Sequence, residues 1–351
     1  MFHRKSVLLA VAAATALATA AGCSSGKSGT AAAGAATAAP VTVKISVSNI
    51  TNQSYIPLIL AQRLGLFAKQ GLNVQVTSVP NGSQTFTMML SGQVDGVVGF
   101  YDHNIDLNAK GTPTESVVQL LQAPGMVEIV RADESGTITS PANLSGKNVG
   151  ITGLGGSTEF LADYLASHNG VPVSQIHPVG VAAGPTFVAA MQHNQIDAGI
   201  TTEPTISALL SKHLGKVIVD MRSAAGTQAA LGGPYPGTSL TLKTSWVNTH
   251  TATVQKLVNA LVQALRWIQL HSAAQIAQQM PADYYNSVGK DSYTQALANE
   301  IGMYSPTGQM PTDGPQSVFR VLSAFDPAVK GHQVDLSKTY TDQFVQQVPA
   351  S

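Results

Sequence analysis

The chain of 351 residues holds a single cysteine, Cys23, and only 11% of its side chains are charged. One cysteine excludes an intramolecular disulfide framework and any multi-cysteine metal site. The 19 basic and 19 acidic side chains cancel, so no nucleic-acid partner is expected, because binding phosphates takes clustered Lys and Arg. Familiar catalytic signatures are missing as well. There is no HExxH, no GxSxG elbow and no Gly-x4-Gly-Lys-Ser/Thr loop. The nine histidines are scattered, without a pair at metal-ligand spacing, and neither a metal nor a cofactor is expected. Thr152-Gly153-Leu154-Gly155-Gly156-Ser157-Thr158 has the look of a dinucleotide loop. Thr158 stands where GxGxxG needs its third glycine, and no acid follows at the usual distance. These absences predict a protein that is not an enzyme. What is present is an apolar fraction of 44%, too high for general disorder, in a chain long enough for one large domain or two ordinary ones.

Arg4 and Lys5 precede an apolar stretch from Val7 to Ala21, and small residues lead into Cys23. That is the pattern of a secretory signal, shorter than the roughly 20 apolar residues of a membrane span. Ala20-Ala21-Gly22-Cys23 resembles a bacterial lipobox, with Ala20 where leucine is usual. The resemblance implies that Cys23 becomes the lipid-carrying first residue of the mature protein. Loss of residues 1–22 removes two basic side chains and no acid, leaving the remainder two units negative. Residues 23–40 are almost all Ala, Gly, Ser and Thr. Such a segment buries too little to offset its ordering entropy and reads as a flexible tether.

From Val41 onward, short β-branched runs alternate with amphipathic stretches, which predicts an α/β architecture. Strands are expected at Val41–Val47, Asn73–Val79 and Val94–Phe100, with helices at Ile56–Phe67 and Gln84–Leu90. The unit then restarts with a strand at Lys147–Thr152, a helix at Ser157–His168, and strands at His177–Val181 and Ile196–Thr201. One stretch recurs. Thr85-Phe86 precedes Gln93-Val94-Asp95-Gly96, and Thr186-Phe187 precedes Gln195-Ile196-Asp197-Ala198. Both read as helix, turn, Asp and buried strand, pointing to two related lobes. Extended crossovers are expected near Val127–Ala132 and Tyr235–Thr241. The expected boundaries are 41–131 with 235–351 for the first lobe and 132–234 for the second.

Several strand-to-helix junctions carry small polar residues. Asn52 and Tyr55 precede the first helix, Ser83 and Gln84 the second, and Gly156, Ser157 and Thr158 open the helix at Glu159. Thr202 and Glu203 precede another. In open α/β sheets, ligands bind beyond the carboxyl ends of the strands, where helix starts offer unpaired N–H groups. Plain N-capping is the better explanation of each junction taken alone, so a ligand site requires junctions of both lobes to face one cleft. Tyr101-Asp102-His103 ends the strand at Val94–Phe100; Asp102 either caps the next helix or, at a cleft, favours a ligand with an ammonium or a hydrogen-bond donor. Tyr55, Tyr101 and Tyr235 are each read first as packing residues, with an apolar wall and a polar tip for a ligand as the alternative.

Tyr55-Ile56-Pro57-Leu58, the run Leu64-Gly65-Leu66-Phe67 and Gln70-Gly71-Leu72-Asn73-Val74 resemble the opening of the nitrate/sulfonate/taurine-type solute-binding proteins of ABC transporters. Ser91-Gly92-Gln93-Val94-Asp95, Ser140 to Gly150, Thr152 to Thr158 and Ala264-Leu265-Arg266-Trp267-Ile268 continue it in order. The resemblance implies a type II periplasmic-binding-protein fold, in which two doubly wound α/β lobes joined by a hinge close on a ligand. It implies a small sulfonate, taurine-like zwitterion, nitrate-like anion or heterocyclic vitamin precursor as ligand. A permease with ATPase subunits would be the partner, and the protein would act as a monomer outside the cytoplasm, lipid-anchored to a bacterial membrane at its periplasmic side or cell surface. Two alternatives stay open: an enzyme of the same fold acting on a small heterocycle such as a thiamine-pyrimidine precursor, and a ligand-free sensory or docking lipoprotein.

Overall fold

The computed structural model describes residues 39–350. The expected signal, Cys23 and all but the last two residues of the expected tether lie outside the described residues. The strands sort into two mixed five-stranded sheets. The first has the order β2-β1-β3-β10-β4, built from β1 (Val41–Ser48), β2 (Leu72–Val79), β3 (Gly96–Phe100), β4 (Thr114–Gln119) and β10 (Thr238–Lys243). The second has the order β7-β6-β8-β5-β9, from β5 (Met126–Arg131), β6 (Asn148–Ile151), β7 (His177–Gly180), β8 (Ala198–Thr202) and β9 (Gly215–Met221). In each sheet three parallel strands are followed by one that runs antiparallel to both its neighbours, β10 in the first and β5 in the second. The expected two-lobed α/β fold is therefore what the chain adopts.

β5 was expected in the first lobe, ahead of a boundary at 131/132. It pairs instead between β8 and β9, so the outward crossover is the segment after β4, residues 120–125. The return crossover runs beside it. Leu120 N donates to Thr238 O at 2.9 Å, and Gly237 N to Leu121 O at 2.9 Å. Extended strands joined by backbone hydrogen bonds make a narrow connection between two otherwise separate sheets.

Helices cover both faces of each sheet because the strands are apolar on both. In the first lobe α1 (Ile56–Arg63), α2 (Leu66–Lys69), α3 (Gly82–Leu90) and α4 (Asp102–Ala109) follow the strands. In the second, α5 (Ser157–His168), α6 (Pro185–Gln192), α7 (Thr205–Ser211) and α8 (Ala224–Leu231) do so. After β10 come α9 (Thr244–Thr249) and the long α10 (Thr251–Leu270), whose expected apolar face at Val254, Leu257, Val258, Leu261, Ala264, Leu265 and Ile268 is buried against the first lobe. Further on, α11 (Ala273–Gln279) and α12 (Lys290–Glu300) stay with the first lobe. Next, α13 (Gly314–Phe325) places Val318, Val321 and Leu322 in the core of the second. Among the described residues no helix is long and apolar enough to cross a membrane.

Candidate functional site

A cleft of about 830 Å³ lies between the lobes. The β2–α3 junction supplies one wall with Asn81, Ser83 and Gln84, and the loops after β6 and β7 supply the other, at residues 152–154 and 180–182. Asn81 caps α3, its side-chain oxygen accepting from Gln84 N at 3.0 Å. Ser83 Oγ lies 2.9 Å from both Asn81 Oδ1 and Leu154 O. Its one proton is shared between the cap and the opposite lobe. Gly153 permits this approach: a Cβ there would sit 2.6 Å from Asn81 Cβ, inside any real contact. No charged side chain lines the cleft. Its lining combines hydroxyl, amide and backbone groups with the apolar side chains of Pro80, Leu154 and Val181.

Beneath this cleft the lobes meet through Asp102. It opens α4, and its carboxylate is wholly buried. Oδ1 accepts from Ser157 Oγ at 2.8 Å and Oδ2 from the Tyr235 hydroxyl at 2.8 Å. Ser157 is the first residue of α5, and Tyr235 lies on the return crossover. One carboxylate thus ties the first lobe to the second and to the hinge. Burial pushes the Asp102 pKa up to about 6, and the Ser157 and Tyr235 hydrogen bonds restrain that rise. His103 is enclosed by Phe86 and Phe160, at ring-centroid distances of 4.2 and 5.5 Å. Burial draws its pKa down to about 4, so its imidazole is neutral at pH 7.

Glu203, at the end of β8, is buried too, and burial raises its pKa. Its Oε2 accepts from Ser207 N at 2.9 Å, and its Oε1 lies 3.6 Å from Arg222. Its backbone oxygen receives Gln53 N from the first lobe at 3.3 Å. Sequence reasoning missed Arg222, which holds Asp220 at 2.6 Å, and Glu300 at the end of α12. Glu300 is buried, and its carboxyl is pushed well above the ordinary range, first by burial and then by Glu203. Asn81, at the head of the expected Asn81-Gly82-Ser83-Gln84 junction, stands in the cleft wall as well as capping α3. For Glu300 no signal existed, since nothing in the tail's sequence places its helix against α7, the helix that follows Glu203.

The other expected residues have partners within the fold. Asn52 caps the 3₁₀ turn before α1 by accepting from Ser54 N at 2.9 Å. The Tyr55 hydroxyl is 2.6 Å from Ser48 Oγ, and that of Tyr101 meets Thr339 Oγ1. Thr158 Oγ1 accepts from Thr152 N at 3.0 Å, Gly156 caps α5 without a side chain, and Thr202 is buried in β8. The structure therefore brings Ser83 and Gln84 to the cleft and joins Asp102, Ser157 and Tyr235 beneath it. It places His103 beside them, and none of the remaining residues lines the cleft. Among the described residues no group of three or more His, Cys, Asp or Glu is placed to hold a metal ion.

Residues 52–274 match the family model described as NMT1/THI5 like. The chain belongs to this family. Over 162 residues it is 30% identical to the 4-amino-5-hydroxymethyl-2-methylpyrimidine phosphate synthase THI11 of Saccharomyces cerevisiae, covering 46% of each protein. The match thus spans just under half the length of that relative. Over 245 residues it is 24% identical to YtlA of Bacillus subtilis, which carries a provisional name as a binding protein, covering 69% of this chain and 71% of the other. A solved structure from Bordetella bronchiseptica RB50 superposes with a TM-score of 0.83 at 30% identity, over 88% of this chain and 96% of that one. The alkanesulfonate-binding protein SsuA of Xanthomonas axonopodis pv. citri has the same fold, with a TM-score of 0.68 at 16% identity over 87% and 99%. So has the nitrate-binding protein NrtA of Synechocystis PCC 6803, with a TM-score of 0.70 at 16% identity over 88% of each. The family shares its two-lobed fold with periplasmic solute-binding proteins, as the resemblance implied. The expectation that the chain is not an enzyme is corrected. Relatives with this degree of identity are named synthases, and the absence of familiar catalytic motifs did not reveal them.

Proposed function

We propose that this protein is the solute-binding component of an ABC importer, held outside the cytoplasm by a lipid on Cys23 and working as a monomer. It would capture a small polar molecule between its lobes and hand it to the permease. The observation that carries this reading is the interlobe cleft, whose uncharged walls come from both lobes. A ligand contacting both walls binds the closed form better than the open one, and that difference in affinity drives closure about the paired crossovers. The lipid on Cys23 is supported by the lipobox-like residues before it. A Cys23→Ser variant is then expected in the soluble fraction, with the wild type in the membrane fraction.

The test is thermal unfolding against a panel of sulfonates, taurine, nitrate, aminopyrimidines and small amides. A true ligand at 100 times its dissociation constant adds about 2.7 kcal/mol and raises Tm by a few degrees. A panel without any shift overturns the reading. A second reading, synthesis of a pyrimidine phosphate, is favoured by the 30% identity to THI11. Product formation by the purified protein, followed by mass spectrometry, would replace the transport reading with this one.

A further inference from the structure

A second seam between the lobes is buried and polar. Glu300 ends α12, whose Tyr293 and Leu297 belong to the core of the first lobe, and α12 packs against α7 of the second. From that lobe Glu203, Arg222 and Asp220 face Glu300, and Tyr293 and Tyr304 stand near it on its own side. The one cation of this group is already engaged. Arg222 holds Asp220 through hydrogen bonds of 3.0 and 2.6 Å, and Glu203 lies 3.6 Å from it. Glu300 therefore meets the second lobe as a third carboxyl beside a single guanidinium. It is 1% exposed, and its Oε1 has no hydrogen-bond partner. Gln53 crosses the same seam. Its N donates to Glu203 O at 3.3 Å, its Nε2 to Tyr293 O at 3.0 Å, and its backbone oxygen accepts from the Tyr304 hydroxyl at 2.8 Å. An ionised carboxyl in such a place carries an uncompensated charge, which burial penalises far more than the neutral acid.

We propose that Glu300 is a proton-dependent latch between the lobes, buried as the neutral acid while they are together and ionised once they part. Closure then takes up one proton from solvent. Opening returns the carboxyl to water and removes it from Glu203 and Asp220, so it regains the ordinary pKa of 4.5. Burial, and then Glu203, hold it well above that range in the closed form. The closed form is thus fully favoured below pH 4.5 and loses ground as pH rises, by up to about ten-fold per pH unit for one proton. Two other carboxyls touch the interface. Glu203 keeps Ser207 and Arg222 of its own lobe when the lobes separate. Asp102, with its pKa at about 6, is ionised in both forms above pH 7, so the dependence beyond that point belongs to Glu300. The latch acts through the interface and is independent of which solute or reaction the cleft serves.

The amide of Gln53 reads the open population, because its hydrogen bond to Glu203 O crosses between the lobes. Hydrogen exchange of the purified protein is followed at pH 7 and pH 8 in wild type and in Glu300→Gln, which keeps the shape of the side chain and cannot ionise. Amides of the β1–β2 pairing lie wholly in the first lobe and serve as the control for global unfolding. Corrected for intrinsic exchange, protection at Gln53 is expected to fall about ten-fold between the two pH values in wild type and to stay level in Glu300→Gln. A merely structural role for Glu300 would change protection in the variant by the same factor at both pH values, and that outcome overturns the proposal. So does level protection at Gln53 in wild type, or a fall shared equally by the control amides. Should Glu300→Gln fail to fold, Glu300→Met, of similar length and equally unable to ionise, decides in its place.

Discussion

The two lobes are built to one plan and diverge at a few positions. Each sheet has the first of its three parallel strands in second place and an antiparallel strand in fourth. In the first lobe Asp95 receives Lys44 N at 2.7 Å, and in the second Asp197 receives Asn148 N at 2.9 Å. The backbones repeat the match, Asp95 N bonding Lys44 O and Asp197 N bonding Asn148 O. Even the irregularities correspond, because the register shifts between Leu240 and Thr241 in β10 and between Glu128 and Ile129 in β5. Leu240 and Glu128 are thus equivalent positions, one a core leucine and the other a carboxyl with neither oxygen partnered. The ends of the third strands diverge as well. Asp102 reaches across to the other lobe, whereas Glu203 bonds Ser207 and Arg222 of its own. A duplicated frame with unequal strand ends places the chemistry between the lobes while both keep the same packing.

Exchanging the unequal pair should give the largest effect. Leu240→Glu places an unpaired carboxyl in a filled core and is expected to cost at least about 3 kcal/mol. Glu128→Leu has the opposite sign at alkaline pH. Burial lifts the Glu128 pKa from 4.5 to about 8, so the folded state keeps a proton that the unfolded state releases. Stability is then fully present below pH 4.5, falls as pH rises towards 8, and is flat beyond. The loss attributable to this residue is on the order of 5 kcal/mol. Urea unfolding at several pH values measures it: Glu128→Leu should unfold later than wild type above pH 8 and show a shallower decline from pH 4.5. Parallel pH curves for the two proteins would contradict the burial account.

The glycines beneath the paired phenylalanines give a smaller contrast. Phe187 packs on Gly199, where a Cβ would lie 2.5 Å from Gly150 O and 2.6 Å from the ring. Phe86 packs on Gly99, where the nearest atoms are side-chain carbons at 2.9 and 3.0 Å. A backbone carbonyl inside a sheet yields less than a ring or a methyl. Gly199→Ala is therefore expected to cost about 2–3 kcal/mol and Gly99→Ala about 1 kcal/mol, read from urea midpoints. Equal costs would mean that the first lobe is as tightly packed as the second.

The duplication was legible in the sequence because its signals are local. Thr-Phe before a helix turn and Asp before a buried strand repeat within short windows, and the structure places Phe86 and Phe187, Asp95 and Asp197 in matching roles. The long face of α10 was legible for the same reason. What escaped depends on distant partners. β5 reads as any apolar strand, and only its pairing with β8 and β9 assigns it to the second lobe. The Ala-rich α8 has little apolar periodicity and was not expected as a helix. In the candidate site, the polar junctions were legible as helix starts. That Asp102 would meet Ser157 and Tyr235, 55 and 133 residues away, was not.

The smallest effect separates the two matching aspartates. Both receive a backbone N–H from the strand beside them, so removing either carboxylate leaves one donor to water. Asp197 has a further partner, Arg131, whose guanidinium lies 3.1 Å away with only 12% of its side chain exposed. Arg131 belongs to β5, the strand that the second sheet takes from the outward crossover, so this pair helps fix the strand's register. Asp197→Ala is expected to cost about 1–2 kcal/mol, and Asp95→Ala about 0.5–1 kcal/mol. Arg131 keeps Asp133 at 2.6 Å and Glu134 at 3.3 Å, which limits the loss. Hydrogen exchange separates the two causes. Faster exchange at Asn148 alone in Asp197→Ala would assign the cost to the lost cap. Faster exchange along β5 as well would show that Arg131 anchors the crossover strand through Asp197, a tie for which the first lobe has no counterpart at Asp95.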